Sequence, residues 1–360
     1  MPPHKYVYPH YTLLPDSDSP KTGFARGNPT RSTKLRQLSV PIILIFVSII
    51  SITSILLISN STNPCTHPRF RQEWRNLSRA EKLSYISAAQ CLTRTPLPGG
   101  SNGTIHDEFS LLHSRVGNYS HNAASFLPWH RLFVHIYEKA LQKYCNYDEP
   151  MPYWDWTLDF QNLLTSPIWN TDDGFGPNGS ILSDGDTCVN GNCVTSGPFA
   201  NFTPVYYEGL YHPHCLSRGF LDEETVKRVG NLTMRPDKIA EIIKGEARYF
   251  DFLIGVERLS HSSIPYMVQG DFRVLTAPND PVFYLHHAQV DRLWWSWQRV
   301  STERREQYNG IARRLGAVEA SVNDILDFGD LDLDMGEVTV GDVMDTEGGV
   351  LCYRYDKGVV

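Results

Sequence analysis

Three histidines occur close together in the segment HSRVGNYSHNAASFLPWH, at positions 113, 121 and 130. Nine residues separate His121 from His130, which is about 2.5 helical turns, so one continuous helix would place them on opposite sides. Gly117 and Pro128 interrupt such a helix. His113 can then end one helix, while the other two histidines lie in a loop and at the start of the next helix. Because neutral imidazoles bind copper, zinc, iron and nickel, the segment predicts a metal site.

A second group of histidines follows in the other half of the chain. His286 and His287 come directly after the turn-forming segment NDP at 279–281, and His261 is the next candidate upstream. Asp291 lies four residues after His287, on the same face of a predicted helix, where its carboxylate could orient an imidazole. The chain has no HExxH motif, so hydrolytic zinc chemistry is the weaker interpretation.

Helices dominate the elements that must position these side chains. Apolar spacing predicts helices over 69–92, roughly 105–114, 129–144, 236–263 and 280–299. Residues 157–235 are rich in Gly, Asn, Asp and Ser and predict a long loop region at the rim of a site. Alternating residues after 330 predict short strands. The fold class is therefore mainly α, in one compact domain.

An uncharged apolar stretch runs from Ser39 to Ser59. Its roughly 20 residues would reach ~30 Å as a helix, the thickness of the hydrocarbon core of a bilayer. Basic residues dominate the segment before it, which predicts a cytosolic tail over 1–38, a transmembrane helix over 39–59 and a lumenal or extracellular domain over 60–360. A cleaved signal peptide is the alternative, although its apolar region would be shorter and nearer the start.

The predicted domain carries further signs of the secretory pathway. Asn-x-Ser/Thr sequons predict glycosylation at Asn60, Asn76, Asn102, Asn118, Asn178, Asn201 and Asn231. Seven cysteines in an oxidising compartment predict disulfides with at least one thiol left over. Proximity along the chain favours the pairs Cys188–Cys193 and Cys65–Cys91. The net charge of −7 disfavours nucleic acid as a partner.

Three motifs together resemble the type-3 copper domain of tyrosinases and catechol oxidases. They are FLPWHR at 126–131, PYWDW at 152–156, and NDPVFYLHH at 279–287 with Asp291 beyond it. The resemblance spans roughly residues 65–355 and is closest to short fungal members of secondary-metabolite pathways. It implies a four-helix bundle that holds two coppers, with three histidines to each metal.

The resemblance also implies which histidines bind copper. They are His113, His121 and His130 for the first metal, and His261 and His287 for the second. His286 would be a non-ligating neighbour of His287. The family's second site expects a further histidine four residues after His261, and this chain has Pro265 there. Because proline has no side-chain donor and no backbone N–H, the helix is expected to end near Ser263.

The implied activity is that of a copper-dependent oxidase or monooxygenase acting with dioxygen on a phenolic, catecholic or aminophenolic substrate. Ser262 stands where phenol-hydroxylating members carry Asn, which disfavours monophenol hydroxylation. The alternative is a catalytically degraded member that acts as a partner or as a mononuclear copper protein. Dioxygen carriage fits poorly with a membrane anchor. His212 and His214, in the segment YHPHC, could replace the missing imidazole or could be ordinary loop histidines.

Overall fold

The computed structural model describes residues 65–98, 103–181, 188–313, 318–331 and 335–359, all within one unit of the chain, Thr62–Val360. The predicted tail over 1–38 and the predicted membrane helix over 39–59 lie outside the described residues. No helix within those described ranges is long and apolar enough to cross a membrane.

The secondary structure is mainly helical, as predicted. The α-helices are α1 (Arg79–Leu92), α2 (Ile105–Ser120), α3 (Phe126–Cys145), α4 (Glu223–Thr233), α5 (Pro236–Gly245), α6 (Tyr249–Gly255), α7 (Ser262–Val268), α8 (Val282–Gln298) and α9 (Thr302–Arg305). A π-helical turn, Val256–His261, joins α6 to α7. The strands are β1 (Arg69–Arg71), β2 (Asn192–Cys193), β3 (Tyr206–Tyr207), β4 (Leu210–Tyr211), β5 (Ser217–Arg218) and β6 (Tyr353–Tyr355).

Side-chain caps explain where the first two helices begin. The hydroxyl of Ser78 accepts from the backbone N–H of Glu81, whose carboxylate accepts from the N–H of Ser78. This capping box satisfies N–H groups that have no partner inside a helix, so α1 begins ten residues later than predicted. Thr104 and Asp107 make the same arrangement before α2, which runs to Ser120 and is longer than predicted.

Short strands tie distant parts of the domain together. Strand β1 pairs in parallel with β6, with Arg69 opposite Tyr353, while β2 pairs with β5 and β3 with β4 in antiparallel fashion. The prediction of short strands after 330 is confirmed for β6, whereas Thr339 forms only an isolated bridge with Ile325. The predicted long loop region over 157–235 is interrupted by four two-residue strands and, at its end, by α4.

The predicted helix over 236–263 is divided and also extended. Helix α5 ends at Gly245, and a new run of helix from Tyr249 continues through the π-helical turn to Val268, with Pro265 inside α7. The expected end near Ser263 is thus wrong. Proline removes one backbone hydrogen bond and crowds the carbonyl four residues earlier, and that residue, His261, is the last one of the wider π-helical turn just before α7.

Disulfides fix the outer elements, but not in the predicted pairs. The bonds join Cys65 to Cys352, Cys91 to Cys145 and Cys193 to Cys215. The predicted pairs Cys65–Cys91 and Cys188–Cys193 are wrong because packing brings together cysteines far apart in sequence: β1 lies on β6, and α1 lies on α3. The expected unpaired thiol is confirmed as Cys188.

The centre of the domain is the pair of long helices α3 and α8, both almost entirely buried. The guanidinium of Arg131 on α3 donates through Nε to Asp291 on α8 at 2.5 Å. Both side chains are buried, so this ion pair locks the register of the two helices. Helix α2 and the α6–α7 segment complete the surroundings of the two groups of histidines.

Candidate metal centre

The first histidine cluster consists of His113, His121 and His130. His113 lies within α2, His121 caps its C-terminal end, and His130 lies in the second turn of α3. One ring nitrogen of each lies within 4.8 Å of the others, and the Nε2 atoms of His113 and His130 are 3.2 Å apart. Two ligands that each lie ~2.0 Å from one metal would be spaced by about this distance. The sequence-predicted trio is therefore brought together.

Backbone carbonyls orient all three imidazoles of the first cluster. Nδ1 of His113 lies 2.6 Å from the carbonyl oxygen of Leu275, Nδ1 of His130 lies 2.8 Å from that of Phe126, and Nδ1 of His121 lies 2.8 Å from that of Gly117. A carbonyl oxygen can only accept a hydrogen bond, so each Nδ1 carries the hydrogen and donates it. Each Nε2 therefore keeps its lone pair free for a metal.

The second cluster consists of His261, His286 and His287. His261 ends the π-helical turn, and the other two are neighbours on α8. One ring nitrogen of each lies within 4.8 Å of the others, and all three side chains are buried. The structure thus brings together the two predicted members and adds His286, which was expected to be only a neighbour of His287. The adjacent HH pair was the only signal for it in the sequence.

Aromatic rings join the two clusters and separate them from water. The rings of His130 and His287 stack with centroids 4.2 Å apart. Phe126 contacts rings of both clusters, with centroids 4.7 Å from His130 and 4.9 Å from His261, and Phe283 lies 4.2 Å from His287. Both phenylalanines lie in the motifs FLPWHR and NDPVFYLHH, but the sequence analysis assigned neither of them a role. Their apolar rings lower the local polarity around the imidazoles.

Burial keeps five of the six clustered imidazoles neutral. It lowers the pKa of His113 and of His286 to about 3, and neighbouring His121 lowers that of His113 further. Burial, and after it the nearby imidazoles, holds the pKa values of His130, His261 and His287 well below the ordinary value. Metal binding to neutral imidazoles requires no proton release, so the donor set suits a divalent or monovalent transition metal at neutral pH.

Asp291 does not orient His287 as predicted. Its carboxylate accepts from Nε of Arg131 at 2.5 Å and from the hydroxyls of Tyr353 and Tyr355 at 2.5 and 2.6 Å. Among the described residues, no hydrogen-bond partner reaches Nδ1 of His287. The prediction is wrong because two side chains on the same helical face can make contact but need not do so. The carboxylate of Asp291 binds the buried guanidinium of Arg131 and not the imidazole of His287. Asp291 instead positions the helices that carry both clusters.

The remaining candidate histidines lie outside the two clusters. His212 is exposed, while His214 is buried with Nδ1 2.6 Å from the carbonyl of His212 and Nε2 2.8 Å from Asp271. His212 is therefore too exposed to serve as a metal ligand of either cluster, and both ring nitrogens of His214 already have hydrogen-bond partners. His106 is also buried, and its Nε2 contacts the carbonyl of Asn279.

The chain resembles several proteins of known family. A family model described as the common central domain of tyrosinase matches residues 103–300. The chain is 43% identical over 296 residues to the tyrosinase-like protein phomQ2 of Diaporthe leptostromiformis, covering 82% of this chain and 74% of that protein. It is 40% identical over 337 residues to the tyrosinase ustQ of Aspergillus flavus, covering 91% and 93%.

A solved structure shares the architecture. A single-residue mutant of the polyphenol oxidase from Thermothelomyces thermophila superposes with a TM-score of 0.70 at 25% identity. The similarity covers 88% of this chain and 96% of that one. Both histidine clusters lie within the residues that the family model matches, so they belong to the shared core of the fold.

Proposed function

The chain belongs to the tyrosinase family, and we propose that it is a copper-dependent oxidoreductase that oxidises a phenolic, catecholic or aminophenolic substrate with dioxygen. The main support is the meeting of two histidine clusters, in which five of the six imidazoles are buried and neutral, through the stacked rings of His130 and His287. The family implies a type-3 dinuclear copper site, and two clusters can hold one metal each. By analogy with its fungal relatives, we place this reaction in secondary metabolism.

The residues of the chain have separable roles in this reaction. Copper, when bound, supplies the redox chemistry with dioxygen and the phenol. His113, His121 and His130 hold the first metal, with their backbone-bonded Nδ1 atoms fixing the direction of each Nε2. His261 and His287 hold the second metal, and the Phe126 and Phe283 rings exclude bulk water.

The first cluster offers the more open approach for a substrate. His121 is only partly buried, whereas both other members of its cluster are buried. Tyr119, two residues before His121, is about half exposed. Leu259 and Ser262, which flank His261 of the second cluster, are also exposed, and the ring of His261 lies 5.9 Å from that of His121. We infer that a flat phenolic ring reaches the site from this side, where apolar surface can receive it.

We further propose that the catalytic domain is lumenal or extracellular. The support is the apolar stretch over 39–59 with its basic flank, the three disulfides and the exposed sequon residues. On this proposal the chain is a single-pass membrane protein with residues 1–38 in the cytosol. Glycans on the sequons are the expected consequence, because glycosylation of this kind takes place in the lumen of the secretory pathway.

Pro265 favours a second candidate, a member that binds one copper or none and acts as a partner in a pathway. The family pattern places a histidine at this position, and proline cannot bind metal through its side chain. The two candidates differ in the number of coppers that the protein holds. A dinuclear enzyme holds about two per chain, while the degraded member holds one at most.

The test uses the full chain purified in detergent after loading with copper. Elemental analysis gives the copper content, and an oxygen electrode follows uptake with a simple phenol, a catechol and a 2-aminophenol in turn. About two coppers per chain together with dioxygen uptake on one of these classes support the proposal. Two coppers without uptake on any class contradict the oxidase function, and one copper or none favours the second candidate.

A further inference from the structure

The second cluster lacks the helical pair of ligands that the family pattern expects. The residue one turn after His261 is Pro265, which is partly buried and has no side-chain donor. The helix nevertheless continues through it to Val268, so the backbone of this turn is in place. What is missing is one imidazole, and not the element that would carry it.

His286 places an imidazole in the same cluster from the opposite helix. Its ring stacks on that of His261 with centroids 5.1 Å apart and planes inclined by 23°, and it lies 5.0 Å from the ring of His287. Its side chain is 0% exposed. His286 lies on α8, and the packing of α8 on the α6–α7 segment brings its imidazole to the cluster. The turn at Pro265 cannot provide an imidazole.

The ring nitrogens of His286 have no partner among the described residues. Neither Nδ1 nor Nε2 makes a hydrogen bond, and the nearest rings besides the histidines are Phe272 and Trp156. Burying an imidazole without a partner is costly, because its donor and its acceptor both lose water. A metal bound at one nitrogen would replace the lost water there and remove part of that cost.

Other nearby donors are already engaged. Both carboxylate oxygens of Glu257 accept from the backbone N–H of Asn122, at 2.8 and 3.0 Å. His214 contacts Asp271 and the carbonyl of His212 through its two ring nitrogens. His286 is therefore the buried donor in the described part of the chain that both reaches the cluster and is free to bind.

We propose that His286 is the third ligand of the second copper and takes the place of the imidazole absent at Pro265. This inference rests on the proposed function, since it concerns how that copper is held. Adjacent residues on a helix point about 100° apart, so His286 and His287 approach one ion from two sides rather than along one face. One ring nitrogen of each of the three histidines lies within 4.8 Å of the others, close to the spacing that ligands at ~2.0 Å from one metal require.

The test compares copper content and affinity in matched variants of the full chain. His286→Gln keeps a polar side chain of similar size and should lower the content from about two coppers per chain to about one, or weaken the second at least about tenfold. Adding Pro265→His to this variant should restore the second copper, because positions 261 and 265 share one helical face. His135→Gln is the control: His135 is equally buried and its ring nitrogens also lack partners among the described residues, but it belongs to neither cluster.

The outcomes separate this inference from the proposed function. The inference is overturned if His286→Gln binds two coppers with the affinity of the parent, or if the parent itself binds only one. It is also overturned if His135→Gln loses as much copper as His286→Gln. Because the readout is the metal content, a parent that holds two coppers and oxidises no phenol would contradict the oxidase function and leave the ligand assignment standing. Melting temperatures of the copper-free variants show whether each one folds.

Discussion

The imidazole of His130 lies flat against that of His287, with ring centroids 4.2 Å apart and planes inclined by only 11°. The two residues lie far apart in sequence and belong to different histidine clusters, one on α3 and the other on α8. Their contact places the two clusters side by side. Arg131, which follows His130, and Asp291, one turn after His287, hold the same two helices together by a buried ion pair. The separation of the two clusters is thus set by the α3–α8 interface.

Replacing His130 should abolish activity, because the first cluster would then no longer hold its metal. His130→Ala removes one of three donors and should reduce dioxygen uptake to below about 1% of the parent value, with loss of the first copper. Oxygen-electrode traces and elemental analysis give both quantities. His106→Gln alters a buried histidine outside the clusters and should retain its copper. Retained activity in His130→Ala would exclude the first cluster as the catalytic metal site.

The Arg131–Asp291 pair should contribute strongly to stability. Arg131→Met leaves a buried carboxylate without its main partner and should lower the free energy of unfolding by about 3 kcal/mol or more. Urea unfolding of the copper-free protein measures the change. Lys238 and Glu241 form an exposed pair, so Glu241→Ala should cost less than about 1 kcal/mol. Equal losses in the two variants would show that the buried pair does not lock the helices.

His135 should make stability depend on pH. Burial lowers its pKa to about 3, although nearby Glu138 opposes the shift, whereas the unfolded value is about 6.5. Between these values His135 binds a proton in the unfolded chain but not in the native state, so this residue alone lowers the free energy of unfolding by about 1.4 kcal/mol for each unit by which the pH falls. His135→Leu should make this slope shallower by about that amount.

The measurement is urea unfolding of the copper-free protein at a series of pH values within that window. Ile136 is the buried apolar neighbour of His135. Ile136→Val should lower stability by a similar amount at every pH and leave the slope unchanged. Parallel curves for His135→Leu and the parent would contradict the assignment of the slope to His135.

Cys188 should be the one thiol that reacts in the folded, non-reduced protein. It is exposed and unpaired, beside the bond between Cys193 and Cys215. Alkylation without reductant, followed by peptide mapping, should modify Cys188 alone, and Cys188→Ser should take up no label. Label on Cys215 instead would mean that Cys188 pairs with Cys193, the pairing that proximity in the sequence favours.

Glycosylation tests the proposed lumenal placement of the domain. Asn76, Asn201 and Asn231 are exposed and should carry glycans, while Asn178 is partly buried, with Oδ1 accepting from the N–H groups of Gly179 and Phe220. Asn60, Asn102 and the side chain of Asn118 lie outside the described part of the chain. The sequence predicts a glycan at Asn178 as well, but these backbone contacts engage its side chain, so we expect none there. Mass spectrometry before and after enzymatic deglycosylation should therefore show a shift that Asn178→Gln does not alter. If the chain carries no glycans when it is expressed in a eukaryotic host, the lumenal placement is contradicted.

Motifs in the sequence predict five of the six clustered histidines as metal ligands. The spacing of His113, His121 and His130 around breaks in the helix, and the position of His287 after the turn at 279–281, carry over directly into the structure. The resemblance assigns no ligand role to His286, because the family pattern uses only one histidine of the adjacent pair as a copper ligand. Its role depends on which helix faces α8, and no local spacing encodes that.

Features that depend on residues close together in the chain could be read from the sequence. They include the mainly helical fold class, the family and most of the residues at the site. The disulfide partners, the Arg131–Asp291 pair and the convergence of His261, His286 and His287 required the folded domain. Those contacts join residues far apart in the chain, and their geometry follows from how whole helices bury their apolar faces against one another.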